Sequence, residues 1–221
     1  MLKLAVFDVD GTLVDSQGDI LASMEAAFGS VGLDVPTRSQ ILSIVGLSLP
    51  LAMARLVPDA TDAQRDQMVE SYKDAYADLR RKGGHAPLYP GIGDLLTRLG
   101  GHDNLLLGIA TGKSRRGLDA LLDGLGLPVR FVTTQVADDH PSKPHPSMLL
   151  TALRESGVEA KDAVMIGDTT YDIEMAQAAG MHSIGVAWGY HSQEKLSGSN
   201  LLAKDATGLE QAIYEILGEF T

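Results

Sequence analysis

Apolar and polar positions change rhythm twice along this chain, and the changes divide it. The first run, Leu4-Ala5-Val6-Phe7, is short and continuous, as a buried strand would be. Ile20, Leu21, Met24, Ala27, Phe28 and Val31 then recur at helical spacing and predict a helix over residues 16–31. Thr37 is placed to cap a short helix bearing Ile41, Ile44 and Val45, and Pro50 to Leu56 predicts a third. Thr61 with Gln64 three positions on has the form of a capping box. It opens a helix with Met68, Val69, Tyr72, Tyr76 and Leu79 on one face. Arg80-Arg81-Lys82 suit the negative end of that helix, and Gly83-Gly84 stop it. No stretch between residues 16 and 87 reads convincingly as a strand, so this region is expected to be a small all-helical insert.

From Tyr89 onward the two patterns alternate. Helices are expected from Pro90-Gly91 to Leu99, from Ser114 to about Leu125, from Pro144 or Pro146 to Ser156-Gly157, and over 170–179 up to Gly180. Between and after them, Leu105–Ala110, Val129–Val132, Ala163–Ile166 and Ser183–Ala187 read as strands, and Leu209, Ile213 and Leu217 mark a closing helix. This order implies an α/β, Rossmann-like parallel sheet with helices on both faces and right-handed crossovers. The expected division is a core of residues 1–15 and 88–221 and a helical cap of residues 16–87. Both linkers of the cap border the sheet's carboxyl edge, so it would hang over that edge as a lid.

Size and composition narrow the function. A chain of 221 residues suits one large domain or a core with a small insert. The absence of cysteine excludes disulfides, thiol catalysis and thiolate metal sites. No apolar stretch is long enough to cross a bilayer, and Met1 to Phe7 is too short for a signal-peptide core. A soluble, cytoplasmic protein with no membrane partner is the expectation. A net charge of −11 argues against a nucleic-acid partner. It still allows a small anionic substrate, because a local cation can dominate its own site. Oligomeric state leaves no mark on the pattern.

Chemistry gathers at the predicted strand ends. Asp8 and Asp10 follow the first strand at i and i+2, which would point both carboxylates to one side. Two anions so placed repel unless a cation or a proton intervenes. The later strands are followed by Thr111-Gly112-Lys113, by Ser142-Lys143-Pro144-His145-Pro146, and by Gly167-Asp168-Thr169-Thr170-Tyr171-Asp172. In a parallel sheet these ends share one edge, so Asp8, Asp10, Thr111, Lys143, Asp168 and Asp172 can converge. Such oxygen donors suit a hard divalent cation, and magnesium fits. Taken singly, each has an ordinary alternative. Thr111 could cap the next helix, Lys143 could be a solvated lysine, Gly167-Asp168 a turn, and Asp172 a carboxylate favoured by a helix dipole. The six histidines, 85, 102, 140, 145, 182 and 191, lack ligand spacing and read as surface or packing residues, with His145 nearest the site.

Asp8-Val9-Asp10-Gly11-Thr12, Thr111, Lys143-Pro144 and Gly167–Asp172 resemble, in order, the four motifs of the haloacid-dehalogenase-like phosphohydrolases. Residues 16–87 resemble that superfamily's C1-type cap. The resemblance covers essentially the whole chain and is near the subgroup of phosphoglycolate phosphatase and β-phosphoglucomutase. It implies a magnesium-dependent phosphatase acting on a small phosphorylated metabolite through an aspartyl phosphate. By that resemblance Asp8 is the nucleophile and Asp10 the general acid and base. Thr111, the Gly112 amide and Lys143 hold the phosphoryl group. Asp8, the Asp10 backbone carbonyl and Asp168 bind metal, and Asp172 orients a metal-bound water or Lys143. A sugar phosphomutase would share this chemistry; Gly46, in the Val45-Gly46-Leu47 turn, resembles a cap glycine of the phosphatases and favours hydrolysis. A dehalogenase would need neither Asp10 as an acid nor Asp168 as a ligand. A phospho-accepting signalling module would need no helical lid. One departure stands out: many relatives have Asn where this chain has Gly112, so a side-chain contact to substrate is expected to be lost.

Overall fold

Strand β1 (Lys3–Phe7) lies in the middle of a six-stranded parallel sheet. The computed structural model describes residues 1–218, so the last three positions of the expected core range lie outside it. The other strands are β2 (Leu105–Thr111), β3 (Phe131–Val136), β4 (Ala163–Gly167), β5 (His182–Val186) and β6 (Leu201–Ala203). Their spatial order is β3-β2-β1-β4-β5-β6, the Rossmann-like arrangement. Neighbours are in parallel register, for example Phe7 beside Ile109 on one side and Ile166 on the other. The order reverses at β1, between β2 and β4, and the crevice outside a parallel sheet's carboxyl edge is deepest at such a switch point.

Alternation along β1 explains why its run is uniformly apolar. Ala5 and Phe7 face one core cluster, with Leu95, Leu96 and Leu99 of α5 (Ile92–Leu99), Leu118 of α6 (Arg115–Leu125), and Leu209 and Ile213 of α9 (Ala206–Leu217). Leu4 and Val6 face the other, with Met148 and Leu149 of α7 (Ser147–Ser156) and Met175 and Ala176 of α8 (Thr170–Ala179). Both faces are covered, so every position of the strand is buried or nearly so.

Four helices stand between β1 and α5: α1 (Gln17–Ser30), α2 (Arg38–Leu42), α3 (Leu49–Leu56) and α4 (Asp62–Gly83). The capping boxes at Thr37 and Thr61 are both formed, each with its Gln reaching back to the cap. These helices bury an apolar cluster of their own around Met24, Phe28, Ile41, Met53 and Met68. Tyr171 and Tyr190, from the sheet side, pack against it.

Two expectations need correction. The third strand runs Phe131–Val136, later than Val129–Val132, and a short sixth strand, Leu201–Ala203, was not anticipated. Thr133 and Gln135 of β3 are buried and polar because Glu155 accepts from both, at 2.6 and 2.8 Å. An apolar-run reading passes over such a strand.

Candidate active site

The residues that end β1, β2 and β4 meet in the crevice. Gly11 turns the chain sharply after Asp10, with φ at +84°; a Cβ there would lie 2.3 Å from Asp168 Oδ2, so the position admits no side chain. Asp8, Asp168 and Asp172 each offer a carboxylate oxygen, all within 4.8 Å of one another, and all three residues are buried. Lys143, fully buried, lies between two of them: its Nζ donates to Asp8 Oδ1 at 2.8 Å and Asp172 Oδ1 at 2.7 Å. Asp172 Oδ2 also accepts from the Thr169 amide and hydroxyl, so one carboxylate both caps α8 and holds the lysine. Thr12 Oγ1 and the Tyr190 amide donate to Asp168 at 3.0 and 2.8 Å.

Asp10 goes elsewhere. Its side chain accepts from Ser16 Oγ at 2.5 Å and pairs with Lys113 Nζ at 2.9 Å. β1 ends at Phe7, so Asp8 and Asp10 stand in the turn beyond the strand, and their side chains take different partners. Asp10 lines the cavity under the helices together with Asp8, and is not itself part of the acidic triad. Thr111 is buried and its hydroxyl accepts from the Lys113 amide; Ser114, not Thr111, caps α6. Gly112 lies under the Gly46–Leu47 turn.

Electrostatics follow from burial. Burial pushes the Asp8 carboxyl up to about 7, against the downward pull of Lys143 and with Asp172 adding to the rise. Burial, then the charges of Asp8 and Asp172, raises Asp168 well above the carboxylate range. Lys143 favours the ionised carboxylate, but desolvation outweighs it. Burial pulls the Lys143 ammonium down, but Asp172 and Asp8 together hold it above the ordinary lysine value. Asp8 Oδ2 is buried and has no hydrogen-bond partner among the described residues. An orphaned carboxylate oxygen beside two further carboxylates has the donor chemistry of a hard divalent cation. The residues present fit such an ion.

Several residues at the site carried no local signal. Tyr76 of α4 accepts a hydrogen bond from Lys113 Nζ at 3.1 Å, and its ring lies 4.7 Å from that ammonium. Tyr190 hydrogen-bonds Ser16 at 3.2 Å, side chain to side chain. His191 is buried; its Nδ1 accepts from the Thr170 amide, which leaves Nε2 to donate to Ser43 O at 3.2 Å. Tyr171 Oη donates to the same Ser43 O at 2.9 Å. His145 is exposed and accepts from the Ser147 amide, so the histidine joined to both parts of the chain is His191.

A parallel sheet with buried acids and a lysine at its switch point is the architecture of an enzyme. This chain belongs to the haloacid dehalogenase-like hydrolase family, whose model matches residues 5–186. It is 34% identical over 199 residues to "Probable phosphatase IndB" of Dickeya dadantii, covering 89% of this chain and 86% of that protein. It is 36% identical over 191 residues to a phosphoglycolate phosphatase of Xanthomonas campestris pv. campestris, covering 85% and 84%. The crystal structure of a hydrolase from Pseudomonas syringae superposes with a TM-score of 0.85 at 25% identity, covering 98% of this chain and 99% of that one. Divalent metal is usual in the family's phosphatases, and the acidic cluster is of the kind that holds one. Among the described residues no helix is long and apolar enough to cross a membrane.

Proposed function

We propose that this chain is a magnesium-dependent phosphatase that hydrolyses a small phosphomonoester through an aspartyl phosphate on Asp8, with residues 16–87 as its cap. The observation that carries this reading is the state of Asp8: one oxygen is anchored by a buried lysine and the other has no protein partner. In the first half-reaction an Asp8 oxygen attacks phosphorus as the bond to the leaving oxygen breaks, and Asp10 gives that oxygen its proton. In the second, Asp10 takes a proton from water, the water oxygen attacks phosphorus, and the bond to Asp8 breaks to release inorganic phosphate. Thr111 and the Gly112 amide donate to the phosphoryl oxygens, and Lys143 balances the charge shared by Asp8 and the phosphoryl group. Asp172 keeps Lys143 oriented. Asp8, Asp168 and the Asp10 carbonyl would hold magnesium, which supplies positive charge to the nucleophile and phosphoryl oxygens when bound. Phosphoglycolate phosphatase among the relatives and the Gly46 turn favour transfer to water over transfer back to a sugar.

Phosphate release from p-nitrophenyl phosphate tests this. Activity should vanish in EDTA and return with magnesium. Asp8→Asn should lower kcat by about 10⁴ or more, as loss of a nucleophile does, while leaving the circular dichroism spectrum intact. Turnover by Asp8→Asn near the wild-type rate would remove Asp8 from its role.

A further inference from the structure

A cavity of about 450 Å³ opens beside Asp8 and Asp10, roofed by α1, α3 and α4. At roughly 30 Å³ per water, it has room for about fifteen waters. A two-carbon acid phosphate such as phosphoglycolate would leave most of it to solvent. Its walls do not suit so polar a guest either. Ile20, Met24, Leu49, Tyr72 and Tyr76 line it. The two tyrosine rings stack with centroids 5.9 Å apart and planes 24° from parallel, which adds an aromatic patch to that apolar wall. Such surfaces reward buried hydrocarbon and favour a ring laid against them.

The cavity's cations divide into two sets. Lys113 is paired with Asp10, and Lys73 with Glu70. Arg80 and Arg116 line the same cavity, and among the described residues neither has an ion pair or a side-chain hydrogen bond. In a chain of net charge −11, two uncommitted guanidinium groups on one cavity call for an anion. Their place in the fold says where. Tyr72, Tyr76 and Arg80 form one stripe on α4, spaced by four residues, or about 6 Å each. Burial foremost, with Asp10 contributing, pushes both tyrosine hydroxyls up, which places Asp10 near the tyrosine end of the stripe. Arg80 is a turn beyond, and Arg116 lies three residues past Lys113 in the first turn of α6.

We propose that the substrate is a phosphate monoester whose body is an apolar ring, held on Tyr72 and Tyr76, with a second anionic group held by Arg80 and Arg116. This rests on the phosphatase reading above and adds to it the class of substrate. The comparison needs esters of similar leaving ability: benzyl phosphate, para-carboxybenzyl phosphate and phosphoglycolate, each assayed with magnesium. The carboxybenzyl ester should exceed both others by about tenfold in kcat/KM, the size of one charge-assisted contact. In the double variant Arg80→Met, Arg116→Met, that ester should lose at least several times more activity than benzyl phosphate does. Equal losses on the two esters, or a preference for phosphoglycolate, would overturn the proposal while leaving the phosphatase reading in place. Calorimetric binding of para-carboxybenzylphosphonate, benzylphosphonate and phosphonoacetate decides the matter even without turnover. If no ester is hydrolysed, the phosphatase reading falls, and tightest binding of phosphonoacetate would overturn the substrate class separately.

Discussion

At Gly112 the missing side chain lets two parts of the chain meet. A Cβ there would stand 2.7 Å from Leu47 O and 2.8 Å from Gly46 O, both in the turn between α2 and α3. The asparagine of many relatives therefore cannot be accommodated with that turn where it is. The sequence leads one to expect a lost side-chain contact to substrate at Gly112; what the structure shows is the close approach of the turn. Gly112→Asn should push the Gly46–Leu47 turn outward, because the helical segment hangs on two linkers and can yield, whereas β2 is locked in the sheet. Overpacking costs about 1–3 kcal/mol. If that cost falls on closure, kcat/KM drops about five- to 150-fold with little change in the thermal midpoint. A midpoint lowered in proportion to the activity loss would put the strain in the core instead.

Between elements, the join that matters is the one between α8 and the end of α2. Ser43 O receives Tyr171 Oη at 2.9 Å and His191 Nε2 at 3.2 Å, and Arg55 donates to the Tyr171 oxygen at 3.0 Å. Removing one donor leaves the carbonyl another. Tyr171→Phe should thus cost about 0.5–1.5 kcal/mol of closure, while Tyr171→Phe with His191→Phe should cost more than the two singles summed. A double-mutant cycle on kcat/KM checks this, and strict additivity would show that the two donors do not share the carbonyl in the working enzyme. Burial also holds the His191 pKa below its usual value. A depressed histidine adds stability that is present above its unfolded pKa and lost as pH falls, so this join weakens in acid. The same elements show what was legible in sequence. Thr111 closes β2, and Asp8, Lys143, Asp168 and Asp172 each come after a strand end, so topology alone brings them to one edge. Their hydrogen bonds could not be read, because partners such as Ser16 and Lys113 of Asp10 meet it only in the folded chain. Tyr76, Tyr190 and His191 reach the site through space from other elements, with no local pattern to announce them. Strand β3 was misplaced because its buried polar residues owe their burial to Glu155, and β6 is too short to show a period.

Across the whole molecule, the acidic centre links folding to pH and to metal. Burial above all pushes Asp8 up to about 7 in the fold, from 3.8 for a free carboxyl. For an acid whose folded pKa is raised, the contribution to stability is fully present below the unfolded value and is lost as pH climbs through the folded one. Asp168 is shifted in the same direction and adds to the effect. In EDTA this part of the stability should therefore decline between about pH 4 and pH 7, the window set by the two Asp8 values. His191 works in the opposite sense, so the comparison must be made with and without metal at each pH. A divalent cation favours the ionised carboxylates, and binding to the native state alone raises stability by mass action. Magnesium should then raise the thermal midpoint more at pH 8 than at pH 5. Below pH 7 its binding should release protons, seen as calorimetric heats that vary with the buffer's ionisation enthalpy. A metal-induced shift that is the same at both pH values would mean that the ion binds away from Asp8 and Asp168. Asp8→Asn separates the terms: it removes the titrating group from the centre, so the variant's midpoint in EDTA should depend less on pH than that of the wild type.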